Sequence, residues 1–103
     1  MTEDSEKMIV RIDCELEEIV PAYLENRRKD VVALSEMLEE EAFDAMRVLG
    51  HRMKGSGSGY GLDAISDIGN RLEQAAKDQS SADAAVCVAA LDAYLGRITI
   101  LYV

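Results

Sequence analysis

Residues 42–62 read AFDAMRVLGHRMKGSGSGYGL, a run that holds the single histidine, His51, and five of the seven glycines of the chain. With a turn of about 100° per residue, Ala42, Ala45, Met46, Leu49, Met53 and Tyr60 fall within roughly 60° of the side opposite His51. The run is therefore expected to be an amphipathic helix from Ala42 to about Ser58. Its apolar stripe goes to a core, and His51 faces water or a partner. Gly59 and Gly61 supply the stop.

Working outward, the same period recurs on both sides. Residues 1–12 read as a polar, partly frayed lead. Asp13 then caps a short helix through Val20, and Pro21 restarts the chain as a first-turn residue. From Ala22 to about Glu40, Leu24, Val31, Leu34 and Leu38 make one stripe. From Asp63 to Lys77, Ile65, Ile68, Leu72 and Ala76 make another, with Gly69 on that side allowing a neighbouring helix close. Ser80 or Ser81 caps a last helix that carries Ala84, Val88, Leu91, Leu95, Ile98 and Leu101 in register. A single proline, a single phenylalanine and no tryptophan agree with helices, since strand-favouring aromatics are scarce. Short connections make sequential helices antiparallel. The expected fold is all-α: an up-down antiparallel four-helix bundle with a short N-terminal helix, forming one domain over residues 13–103.

With 103 residues, 49% of them hydrophobic, the chain can bury a single core. Such a bundle covers its own stripes, so a monomer is expected. A net charge of -9 disfavours nucleic acid and anionic lipid as partners. Cys14 and Cys87 lack metal or redox spacing and read as small core hydrophobes in a reducing compartment. The start shows no basic, apolar leader. The longest apolar run, Ala84 to Leu91, is far short of a membrane span, which leads us to expect a soluble, cytoplasmic protein. Glu39, Glu40 and Glu41 read as a solvated turn, and Met37, Met46 and Met53 as core.

The chemistry concentrates around His51. Asp44, Arg47, Lys54, Gly55 and Ser58 fall within about 60° of it on the helix. An accessible imidazole beside two cations suits a nucleophile that takes a phosphoryl group. Lys54, one turn away, would stabilise the added oxygens, and Gly55 would leave room for another protein. The glycines match neither a P-loop nor G-x-G-x-x-G, and no strand precedes them. Metal ligation finds only Asp44 on the same face. A hydrolytic triad finds no paired acid in the helical register.

The residues His51-x-x-Lys54-Gly55-Ser56, Gly61-Leu62, Ile65, Gly69 and Leu72-Glu73 resemble the motif of the histidine-containing phosphotransfer (HPt) domain family. The resemblance spans about residues 13 to 101, with Leu62 where the family often has Ala and Gly69 where it often has Cys or another small residue. It implies a phosphocarrier without kinase activity of its own. His51 would accept a phosphoryl group from a receiver-domain aspartate and pass it to another. Lys54 would steady that group, and Gly55, Ser56, Ser58 and Arg47 would serve docking. Response-regulator receivers, and a hybrid sensor histidine kinase, are the implied partners. No intrinsic cofactor is implied, the receiver supplying Mg²⁺. The competing reading is a helical interaction module that docks a signalling partner and carries no phosphate.

Overall fold

The computed structural model describes residues 7–103. It is mostly helical, with four long helices: α1 (Val20–Glu40), α2 (Phe43–Ser56), α3 (Asp63–Lys77) and α4 (Ser81–Arg97). Two short strands, β1 (Met8–Ile12) and β2 (Ile98–Tyr102), precede and follow them. Helix α1 packs on α2 and α4, α2 on α3, and α3 on α4, so the four share one core. Val20, Leu34, Met46, Met53, Leu62, Ile65, Leu72 and Leu91 are fully buried there.

Local chemistry explains most boundaries. Pro21 lies in the first turn of α1, where its missing N–H costs nothing. Glu41 ends that helix in the left-handed conformation, and the amide of Ala42 bonds back to the Met37 carbonyl at 2.9 Å. Helix α2 tightens into a 3-10 turn, Gly57–Tyr60, which Gly61 closes at φ +77°. Ser80 caps α4, its side chain accepting from the Asp83 amide at 3.1 Å.

Three expectations are corrected at the ends. The last helix stops at Arg97 rather than reaching Leu101. Ile98 and Leu101 do fit a helical step, but Ile98, Ile100 and Tyr102 also alternate, and β-branched side chains favour the strand. Residues 8–12 of the supposed lead are a strand paired in parallel with it, Met8 opposite Ile98 and Ile12 opposite Tyr102. Ile12, only 2% exposed, anchors that strand in the core beside Gly61. The short helix expected from Asp13 to Val20 is a single 3-10 turn, Cys14–Leu16, with the Asp13 carboxylate accepting from the Glu15 amide. Cys87 is buried as expected, but Cys14 is exposed in that turn.

Helices α2 and α3 cross at a pair of glycines. A Cβ on Gly69 would stand 2.5 Å from the Lys54 backbone nitrogen and 2.7 Å from the Gly50 carbonyl oxygen. A Cβ on Gly50 would stand 2.7 Å from the Glu73 nitrogen. The two facing glycines thus let the backbones meet, and Gly69 does what its place on the stripe predicted. No helix among the described residues is long and apolar enough to cross a membrane.

Candidate functional site

Helix α2 turns Met46 and Met53 inward and His51 outward, with 69% of the histidine side chain exposed. Ala45, assigned to the apolar stripe, is exposed as well. Because α3 lies so close, it brings a side chain against the imidazole that helical register on α2 alone did not reveal. The His51 Nδ1 lies 3.1 Å from Glu73 Oε2. Glu73 is only 7% exposed, the one charged residue buried among those described. Its other oxygen accepts from Lys54 Nζ at 3.4 Å, and Lys77 Nζ, one turn along α3, lies 3.8 Å from Oε2.

Burial pushes the Glu73 carboxyl up. Hydrogen bonds from His51 and Lys54 and the charges of Lys54 and Lys77 outweigh it and hold the group below its ordinary value. At neutral pH it is a carboxylate, which can only accept, so the proton of that bond sits on Nδ1. The tautomer is thereby fixed, and the lone pair of Nε2 points away from Glu73 on an exposed ring. The site therefore presents an oriented nitrogen nucleophile with a mobile cation, Lys54, half-exposed beside it.

The other expected residues divide. Gly55 borders open space, with nothing within 4 Å of where its Cβ would be. Arg47 is exposed one turn before His51. Ser56 does not line that surface: it is half-buried and its hydroxyl shares a 2.7 Å hydrogen bond with Tyr23 on α1. Tyr23 in turn stacks on Tyr60 at 4.0 Å and lies under the Arg27 guanidinium, so this serine ties the end of α2 to α1. Ser58 is exposed but turned to Ser66 of α3, its amide donating to that hydroxyl at 2.8 Å. The register of α2 gave His51 no paired acid; the structure supplies one from α3, Glu73. Its sequence signal was present: relative to Ile65, Glu73 stands about 80° round α3, at the edge of the apolar stripe on the Gly69 side. An acid there borders the core and faces the neighbouring helix.

The Hpt domain family model matches residues 18–99, most of the chain and both helices of this site. The chain belongs to the Hpt family. Hpt domains carry phosphoryl groups on histidine in the phosphorelays of two-component signalling, interact with receiver domains and lack kinase activity of their own. Comparisons with curated proteins and with solved structures returned no match.

Proposed function

We propose that this Hpt domain is a phosphorelay intermediate whose phosphoacceptor is His51. The observation that carries it is the exposed imidazole held at Nδ1 by the buried Glu73 carboxylate, which leaves Nε2 as the nucleophile. In the step, Nε2 attacks the phosphorus of an aspartyl phosphate in a receiver. The N–P bond forms as the P–O bond to the aspartate breaks, and the aspartate leaves as a carboxylate. Onward transfer is the reverse reaction with a second receiver. Lys54 steadies the transferring oxygens, and Arg47 and Ser58 border the docking surface around Gly55. Mg²⁺ belongs to the receiver in this reading and neutralises charge on the phosphoryl group.

The same reading takes the four helices as an up-down antiparallel bundle in a cytoplasmic protein. The short connections at residues 41–42, 57–62 and 78–80, with the neighbour contacts of the helices, support that topology. The decisive experiment incubates the protein with a phosphorylated receiver and Mg²⁺ beside His51→Gln. Acid-labile, alkali-stable label on the parent and not on the variant is expected. A folded parent left unlabelled by a panel of receivers would instead make this a docking module that carries no phosphate.

A further inference from the structure

Among the described residues, the parallel pair β1–β2 forms a sheet of only two strands. Its ladder continues through the Val103 amide to the Ile12 carbonyl and the Cys14 amide to the Val103 carbonyl, both at 2.9 Å. Since alternate residues of a strand direct their backbone groups to opposite edges, Thr99, Leu101 and Val103 bond to β1. Ile100 and Tyr102 then direct their N–H and C=O to the other edge, where no described residue pairs with them. The Ile98 amide is already taken by the Tyr94 carbonyl at the end of α4. The outer face of the sheet is also uncovered, with Ile9 65% and Leu101 45% exposed, and Val103 exposed beside them.

Natural edges are blunted by charge, proline or a bulge. β1 has Lys7, Arg11 and Asp13 in or beside it. Residues 98–103, ITILYV, hold no charge and no proline on a chain of net charge -9. This is the stretch a second copy can approach without meeting like charge.

We propose that β2 is a self-association edge, pairing antiparallel with β2 of a second copy about a two-fold axis at Ile100. Identical strands can meet there in a self-complementary register. Ile100 faces Ile100, exchanging both main-chain bonds. The Tyr102 amide donates to the Ile98 carbonyl of the other copy, twice by symmetry, and Thr99 faces Leu101 on the outer side. No charged residue between 98 and 102 stands opposite another. The product is a four-stranded sheet in which the exposed Leu101 side chains of the two copies share one outer face, where a two-stranded sheet alone is marginal. The monomer expected from the helical stripes took no account of this edge, because the strands were not legible as strands.

The test is sedimentation of the full chain across a concentration series at about 0.05 and about 0.5 M NaCl, with amide exchange on the same samples. A dimer is expected, tighter at high salt as the charge on each copy is screened, with the Ile100 and Tyr102 amides gaining protection as concentration rises. Leu101→Lys is expected to weaken the dimer by about tenfold. It does so although it reduces the net negative charge, the opposite of what charge repulsion alone gives. Ile100→Pro removes a donor aimed at the free edge and none used by the β1 ladder, and is expected to leave a monomer. Helical circular dichroism, with protection of the Val103 and Cys14 amides that bond across the β1–β2 pair, confirms that each variant is folded with that pair intact. A monomer throughout both series, or a dimer indifferent to Leu101→Lys whose Ile100 and Tyr102 amides stay unprotected, overturns the proposal. So does protection that appears only when a foreign strand-bearing partner is added.

Discussion

Glu73 does two things that one residue can do only because it is buried and ionised at once. It accepts a hydrogen bond from the Nδ1–H of His51, and it neutralises part of the charge of Lys54 and Lys77. Glu73→Ala leaves the imidazole free to rotate and to adopt either tautomer. Phosphoryl uptake by His51 is expected to fall about 10- to 100-fold, the range known for losing the hydrogen-bond partner that orients a metal-ligating histidine. Glu73→Gln, which keeps an acceptor oxygen, should recover part of it; equal rates for all three in a single-turnover assay would deny Glu73 this role. The pH dependence has a definite sign. A carboxyl held below its ordinary 4.5 when folded contributes stability that is complete above that pH and is lost as pH falls through the lowered folded value. The stability gap between the parent and Glu73→Gln, read from urea midpoints, should shrink as pH falls below about 4.5. Gly55 gives the complementary test. Its Cβ would meet no described residue, so Gly55→Ala should be neutral or stabilising by up to about 1 kcal/mol. If a receiver backbone uses that space, transfer slows while thermal stability holds or rises.

Between elements, the close contact of α2 and α3 is set by Gly50 and Gly69. A methyl at 69 would collide with backbone atoms of α2, which cannot swing aside as a flexible side chain can. Gly69→Ala gains helix propensity of about 0.5–1 kcal/mol. Against this, overpacking costs about 1–3 kcal/mol. Net destabilisation in urea is expected, together with slower labelling of His51 as Glu73 is pushed from it. The stripes of α1 to α4 were legible because one helical face repeats every three or four residues, and the Ser80 cap because it needs only its own turn. Glu73 as the partner of His51 was not legible from helical register, since register within α2 says nothing about which residue of α3 stands opposite. Nor was the inward turn of Ser56, which depends on Tyr23 of α1 lying within reach.

Over the whole molecule, residues far apart in sequence form a sheet: Met8–Ile12 lie beside Ile98–Tyr102. Ile12→Ala should cost about 2–5 kcal/mol in urea unfolding, the range for truncating a buried aliphatic side chain. A frayed lead would give a change near zero. Composition and local pattern by themselves determined the helical content, the turns that end α1, α2 and α3, the exposure of His51 and the acidic field of the surface. Each of these depends on neighbours within a few residues or on a sum over the chain. The tertiary structure alone decided that β1 and β2 are strands, that Glu73 fixes the tautomer of His51, and that no described residue pairs with the outer edge of β2. Those outcomes rest on which distant segments meet, and Ile98 to Tyr102 carries a pattern compatible with either a last helical turn or a strand until Met8 to Ile12 comes alongside to supply its hydrogen bonds.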